Sequence, residues 1–413
     1  MNRYPEKFPI GFWNYTRTGD LGPEAVKDWA DLGMTFAHSP LFDPEKHNKQ
    51  DMLNLLDACQ KYGIPVIIDD TRCKWTGAAE DPEGYRLRFG KAAADFGDHE
   101  AVMGFHVGDE PMDDAAIADS ATAHKLQLEV APQLIPHLNL LPYWPGQETS
   151  ILKAPFDRWV KAYNEKADLK ILCYDCYAQM NPGEEGFDMY YNNLRMFSQS
   201  ARETSTIPWT TLLSVGHFRY RPPKEDDLRW QLNTAVASGM KGIMWFFIYE
   251  RSPMSNYRVP PIDEFGERTE TFEWLSRVNR HFLKQFGDFF RNAEHIATYH
   301  TVKSYGGYEL FQASQTSDVI LDVTCDQELP AVLGFFEKDG GKYLAIVNNS
   351  VTESGMFKVH LPKNHRLFSR LAWNGELQDT ETHRHDAYFG ETEEERISGD
   401  WLAPGQMKLY RYE

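Results

Sequence analysis

Residues 101–111 read Ala-Val-Met-Gly-Phe-His-Val-Gly-Asp-Glu-Pro, and this stretch indicates the fold class. Its first seven residues are apolar enough for a strand that is covered on both faces, as strands of parallel sheets are. Pro111 cannot donate a ladder hydrogen bond, so we expect the strand to end at Asp109 and Glu110. Catalytic side chains of (β/α)8 barrels emerge at the carboxyl ends of the strands. The two carboxylates are therefore candidate catalytic groups, with helix capping as the alternative role for Asp109.

Apolar runs of β type alternate eight times with amphipathic helical segments before residue 293. Strict alternation implies a parallel sheet, and eight repeats favour a closed (β/α)8 TIM barrel over an open sheet. The first strand is not followed by Gly-x-Gly-x-x-Gly, which disfavours a dinucleotide-binding fold. The predicted strands are 9–15, 34–38, 65–69, 102–108, 136–141, 170–177, 209–215 and 241–249.

The pattern changes after residue 293. Short alternating runs such as 343–348 and 407–412 are separated by turns rich in Gly, Asn, Asp and Pro, which predicts a small all-β sandwich. No low-complexity linker separates the two parts. We therefore expect a catalytic barrel at 1–293 and a β-sandwich domain at 294–413 that pack against each other.

The chain of 413 residues carries a formal net charge of −18, which disfavours nucleic acid and anionic membrane surfaces as partners. Its five cysteines lack framework spacing, and Cys173 and Cys176 lie in a predicted strand whose alternation sends them to opposite faces. We identify no signal peptide and no apolar run of about 20 residues. The chain as it stands predicts a cytoplasmic protein, whereas a precursor with a leader would be secreted or periplasmic. The sequence does not determine the oligomeric state.

Four short motifs fall on predicted strand ends in chain order: GDEP at 108–111, YDCY at 174–177, HFRYRPP at 217–223 and SGMKGIMWFFIYE at 238–250. Together with the closing segment LAPGQMKLYRY, they resemble barrel glycoside hydrolases and their uncharacterised relatives, many of which carry a C-terminal β domain. The resemblance spans nearly the whole chain. It implies a hydrolase that cleaves O-glycosidic bonds of oligo- or polysaccharides, with Glu110 as general acid/base. No cofactor is expected.

Glu110 has the surroundings that such an acid needs. Departure of a sugar leaving group requires a proton donor that stays protonated near neutral pH. The neighbouring charge of Asp109 and partial desolvation in a mouth rich in Trp and Phe both raise the pKa of a carboxyl group. We therefore expect a raised pKa for Glu110.

The second catalytic group is left open, because segment 209–217 contains no carboxylate where retaining hydrolases of the largest barrel clan place a nucleophilic Glu. One route is substrate-assisted catalysis through a 2-acetamido group, in which Asp109 orients the substrate. The adjacent Asp109 and Glu110 resemble families 20 and 123 in this respect. In the other routes, Asp175 in strand six or Glu250 after strand eight acts on a 2-hydroxy sugar, as nucleophile of a retaining enzyme or as base of an inverting one.

Substrate binding by such a site requires aromatic platforms and planar hydrogen-bonding groups near the strand ends. The candidates are Trp13, Asn14, Asp70, Arg72, Tyr143, Trp144, Tyr174, Tyr177, His217, Trp245 and Tyr249.

Two other classes of function are less well supported by the sequence. His38 and His106 could bind a metal ion with Asp69, but neither belongs to an H-x-H or H-x-x-x-H pair, so we expect buried core histidines and no metal site. A metal-dependent barrel hydrolase would also need a His-x-His pair on strand one, which segment 11–15 lacks. A non-catalytic carbohydrate-binding barrel would retain the aromatic residues without needing Glu110.

Overall fold

A computed structural model of the chain describes residues 3–250, 256–313, 319–365, 368–380 and 388–412. Eight parallel strands with helices between them form a near-closed barrel, and antiparallel sheets follow, which confirms the predicted TIM barrel with a β-sandwich.

The barrel strands are joined by hydrogen bonds in the order β2-β3-β4-β5-β6-β7-β8-β1. The remaining seam closes where the backbone amides of Thr35 and Phe36 donate to the carbonyl of Ile10, at 2.8 and 3.3 Å. The strands are β1 (Ile10–Phe12), β2 (Ala37–His38), β3 (Val66–Ile68), β4 (Val102–Asp109), β5 (Ile135–Leu140), β6 (Ile171–Asp175), β7 (Ile207–Leu213) and β8 (Gly242–Phe246).

Helices cover the outside of the barrel. In the described ranges they are α1 (Ala25–Asp31), α2 (Lys49–Tyr62), α3 (Pro82–Phe96), α4 (Asp114–Val130), α5 (Phe156–Ala167), α6 (Phe187–Thr204), α7 (Glu225–Ala237), α8 (Glu270–Phe282) and α9 (Asp288–Asn292). None of them is long and apolar enough to cross a membrane.

The start of α4 bears on the role of Asp109. The side chain of Asp113 accepts a hydrogen bond from the amide of Ala116 at 2.8 Å, and this is the N-cap of the helix. Asp109 and Glu110 lie before the cap, so the capping role considered for Asp109 is taken by Asp113. The two carboxylates are left at the strand end.

The C-terminal part consists of two packed antiparallel sheets. One has the strand order β10-β13-β17-β16 and the other the order β15-β14-β18-β12-β11-β9. The strands are β9 (Glu294–His300), β10 (Asp322–Cys325), β11 (Ala331–Lys338), β12 (Gly341–Asn348), β13 (Gly355–Pro362), β14 (Ser369–Leu371), β15 (Leu377–Asp379), β16 (Tyr388–Glu391), β17 (Glu395–Leu402) and β18 (Met407–Arg411).

The central strands β11 and β12 of the six-stranded sheet are largely buried on both faces, which explains their nearly continuous apolar sequences. Leu344 and Ile346 of β12 point into the sandwich core, whereas Ala345 and Val347 belong to the apolar core around the barrel helices. Packing against the barrel includes Phe336 of β11, whose ring centroid lies 5.1 Å from that of Phe290. Burial of a Val- or Phe-sized side chain contributes about 1.5–3 kcal/mol, so this shared core holds the two parts together.

Candidate active site

The carboxyl ends of β4, β5 and β6 bring three acidic side chains around one amide. Asn139 of β5 is 1% exposed, and its Nδ2 donates to the carboxylates of Asp175 at 2.7 Å and Asp109 at 3.0 Å. The thiol of Cys173 donates to Oδ1 of the same amide at 3.4 Å, which directs the amino group toward the acids. Asn139 therefore organises the site. The sequence did not identify it, although it is the one amide-bearing residue in that predicted strand.

A β-bulge directs Asp109 toward Asn139. His106 pairs with His137, and Asp109 pairs with Asn139, so β4 uses one more residue than β5 between these two pairs. The extra residue shifts the alternation of side chains between the two faces of β4 by one position. His106 and Asp109 therefore both face the inside of the barrel. Strict period-two alternation would direct Asp109 away from the barrel axis.

Glu110 directly follows the last residue of β4, and its backbone has a left-handed conformation with φ +53°. Its amide still donates to the carbonyl of Asn139 at 2.9 Å, and its carboxyl group is hydrogen-bonded to that of Asp175. A non-glycine residue in this region of backbone space is disfavoured, and such conformations concentrate at functional sites. The turn carries the half-buried Glu110 side chain onto Asp175.

The contact between these carboxyl groups changes their protonation. Burial and the charge of Asp109 raise the pKa of Glu110 to about 7, although its hydrogen bond to Asp175 acts in the opposite direction. Burial, Glu110 and Asp109 raise the pKa of Asp175 well above its ordinary range. Like charges at hydrogen-bond distance are unfavourable together, so the pair retains a proton near neutral pH.

Aromatic side chains surround the acidic pair. The ring of the partly buried Tyr177 lies 5.2 Å from that of Phe246 and 5.9 Å from that of His217. Burial and the negative charge of Asp175 raise the pKa of Tyr177. Tyr220, 6.0 Å from Tyr177, belongs to the same group. Of these residues, Phe246 and Tyr220 were not among the candidates selected from the sequence.

Trp13 and Asn14 lie deeper than expected. The Trp13 indole is 4% exposed and donates to Oγ1 of Thr211 at 3.2 Å. The side chain of Asn14 accepts from the amide and hydroxyl of Thr16 and donates to the carbonyl of His38. Both residues therefore support the first strand end from within the barrel.

The structure does not bring Tyr174, Trp245 and Tyr249 to the mouth. Asp175 and Phe246 face inward, so the adjacent Tyr174 and Trp245 face the helices. The Tyr174 ring stacks on Phe197 of α6 at 3.8 Å, Trp245 donates to Asn279 of α8 at 3.1 Å, and the Tyr249 hydroxyl accepts from Trp29 of α1 at 2.5 Å. The expectation of substrate contact by these three residues is replaced by a packing role.

Asp70 and Arg72 are also engaged in structure. Asp70 is fully buried, accepts from the amide of Arg72, and forms a 2.7 Å ion pair with its guanidinium. Arg72 also pairs with Asp95 of α3 at 2.7 Å. These bonds anchor the turn after β3 to the helix layer, so the structural ion pair replaces the expected binding role.

Tyr143 and Trp144 lie half-buried in the loop that follows β5. The amide of Tyr143 donates to Asn193 of α6 at 2.6 Å, and its ring contacts Phe156 at 5.6 Å. This loop is therefore anchored at the same end of the barrel as Glu110.

Glu250 follows β8 and has acidic neighbours of its own. Burial and the charges of Glu264 and Asp263 raise its pKa. Its amide donates to the carbonyl of Ile262 at 2.9 Å. Of the two alternatives for the second carboxylate, Asp175 is the one in contact with Glu110.

A second polar group lies within the barrel at the level of Trp13. It consists of three histidines whose ring nitrogens are close enough to be considered as metal ligands: His38, His106 and His137.

Neither a known family model nor a curated protein sequence matches the chain. Among solved structures, a family 39 glycoside hydrolase from the gut symbiont Bacteroides cellulosilyticus WH2 is similar with a TM-score of 0.55 and 11% identity, over 98% of this chain and 81% of that one. A polyextremophilic beta-galactosidase from the Antarctic haloarchaeon Halorubrum lacusprofundi has a TM-score of 0.50 and 11% identity, over 67% of this chain and 58% of that one. At such identities the likeness establishes a shared fold alone. The chain therefore has the barrel fold that these glycoside hydrolases also have.

Proposed function

We propose that the chain is a glycoside hydrolase that cleaves O-glycosidic bonds with Glu110 as general acid/base. The observation that carries the proposal is the hydrogen-bonded contact of Glu110 with Asp175 at the carboxyl end of the barrel. A carboxyl group with a pKa raised to about 7 is a proton donor matched to neutral pH. The half-buried Tyr177, packed against His217 and Phe246, offers an aromatic surface for a sugar ring.

The first step of this reaction uses the proton held by the pair. Glu110 donates it to the glycosidic oxygen, the bond to the anomeric carbon breaks, and positive charge develops on the sugar ring. The carboxylate of Asp109, which is bonded to Asn139, stabilises that charge. In the second step, ionised Glu110 takes a proton from the water that attacks the anomeric carbon.

We favour a 2-acetamido group of the substrate as the nucleophile that attacks the anomeric carbon in the first step. A nucleophilic carboxylate has to be ionised, and the raised pKa of Asp175 opposes this. In the acetamido route, Asp109 and Asp175 instead orient and polarise the substrate amide. Direct action of Asp175 on a 2-hydroxy sugar is the second candidate, supported by its contact with Glu110.

The test compares aryl 2-acetamido glycosides with the matching 2-hydroxy glycosides, measured as kcat/KM. We expect turnover of the former only, together with tight binding of a thiazoline that mimics the cyclised intermediate. Turnover of the 2-hydroxy series, with no effect of the thiazoline, would select the second candidate. Absence of hydrolysis across both series and across natural oligosaccharides would reject the proposed function.

A further inference from the structure

Three histidines from three different strands converge inside the barrel. His38 of β2, His106 of β4 and His137 of β5 each offer a ring nitrogen, and these atoms lie within 4.8 Å of one another. All three side chains are at most 2% exposed. Because His137 and Asn139 face the same side of β5, the group lies one inward layer, or about 7 Å, below the amide that holds the acids.

The hydrogen bonding of this group is incomplete. Among the residues that the structure describes, neither ring nitrogen of His38 has a hydrogen-bond partner. Buried polar groups are nearly always paired, so such atoms indicate a bound water or an ion. The free lone pair of a neutral imidazole is also the commonest nitrogen ligand for a metal ion in proteins.

The geometry of two of the rings already suits a shared ion. Nδ1 of His106 and Nδ1 of His137 are 3.2 Å apart. Two nitrogens at about 2.0–2.1 Å from one tetrahedral zinc ion are about 3.4 Å apart, which is nearly the same separation. The rings of His38 and His106 have centroids 4.6 Å apart, and a nitrogen of His38 lies within 4.8 Å of the nitrogens of the other two rings.

We propose that His38, His106 and His137 bind one divalent transition-metal ion, of which zinc is the reference case, inside the barrel beneath the acidic pair. Imidazole ligands suit zinc, copper, nickel and cobalt better than calcium or magnesium. A water molecule completes the coordination. Trp13 covers the site, with its ring centroid 5.0 Å from that of His38 and 5.2 Å from that of His106. Since the cluster has almost no exposed surface, the ion supports the barrel and does not contact substrate.

The first experiment measures metal in the full-length protein. We expect one zinc ion per chain after purification and, after refolding with Co²⁺, visible absorption bands of tetrahedral cobalt. Anomalous scattering from crystals should place the ion between the three rings. A protein that contains neither zinc nor cobalt after refolding with each, with density for water alone at the cluster, would overturn the proposal.

The second experiment assigns the ligands. His38→Ala should reduce the zinc content to background, whereas the matched control His124→Gln, which alters a buried histidine bonded to the carbonyl of Ala167, should leave it unchanged. His137→Cys should retain the ion and add a thiolate-to-cobalt charge-transfer band. Unchanged metal content in His38→Ala would show that the ion lies elsewhere. If that variant does not fold, the cobalt spectra of the wild type and of His137→Cys decide the question. Glycosidase activity enters none of these measurements, so the outcome is independent of the proposed function.

Discussion

Both regions of the molecule bury charged groups, but the ion pair in the sandwich and the acidic cluster at the barrel mouth pair them in opposite ways. In the sandwich, Arg370 and Asp400 are 4% and 2% exposed and form a 2.9 Å ion pair, and the hydroxyl of Tyr410 donates to the same carboxylate. In the barrel, Glu110 and Asp175 are like-charged groups in contact. Removal of one partner from a buried pair of opposite charges lowers the free energy of unfolding. Removal of one of two like charges raises it, because their repulsion is lost. The acidic pair therefore lowers stability and is explained by function, and the ion pair is explained by structure.

The largest effect is expected for Glu110→Gln. The variant should lose about 10²–10⁴-fold in kcat on substrates with poor leaving groups and much less on activated aryl glycosides, whose departure needs little protonation. Thermal unfolding should show no loss of stability, because a like charge has been removed. Glu250→Gln is the matched control and should retain activity. Equal small losses on both substrate types would remove Glu110 from the catalytic role.

Asp400→Asn should have the opposite effect, with a loss of stability and no loss of kcat. It removes a charged partner of the buried guanidinium of Arg370, and the free energy of unfolding should fall by up to about 3–5 kcal/mol. Asp168→Asn, at a surface ion pair with Lys170, should change it by less than about 1 kcal/mol. Urea unfolding gives both values. A fall in kcat with unchanged stability would contradict the structural role assigned to Asp400.

The pH dependence of stability and of kcat/KM provides a further test of the acidic pair. Glu110 has a raised pKa in the folded protein, so between its ordinary value and about 7 the unfolded state releases a proton that the folded state retains. This term therefore lowers stability as pH rises through that window and is constant above it. The stability gained in Glu110→Gln should grow from pH 4 to pH 7 and then level off, as urea unfolding would show. The kcat/KM of the wild type should fall as pH rises through about 7, since the acid loses its proton. A pH-independent stability difference would contradict this assignment.

The smallest effect distinguishes the two faces of the barrel wall. Tyr177→Phe on the inner face should raise KM several-fold with little change in stability. Trp245→Phe on the outer face should leave KM unchanged and reduce stability by about 1 kcal/mol, because the bond to Asn279 is lost. Steady-state kinetics and thermal unfolding of the two variants test this. A raised KM in Trp245→Phe would place that residue in the binding machinery.

The division at residue 293 remains our proposal. The barrel and the sandwich share one apolar core through Ala345, Val347 and Phe336, so we propose that 1–293 and 294–413 are two domains that do not separate freely. Their packing was expected from the absence of a linker, but its extent was not.

The sequence by itself determined the order of strands and helices, the change to antiparallel sheets, and the strand end that carries Asp109 and Glu110. These features depend on local periodicity and turn residues, which each segment displays on its own. It also favoured Asp175 and Tyr177 as site residues, and both lie beside Glu110.

Only the tertiary structure decided which side chains meet. In strands that are apolar on both faces, periodicity does not indicate the inner face, so Tyr174 and Trp245 were expected at the mouth but pack against helices. Asn139 and His137 each looked like an isolated polar residue in β5. Their partners come from other strands, and the bulge in β4 and the register across the closed barrel place them together. Contacts of this kind depend on how strands align in space, which a single strand does not encode.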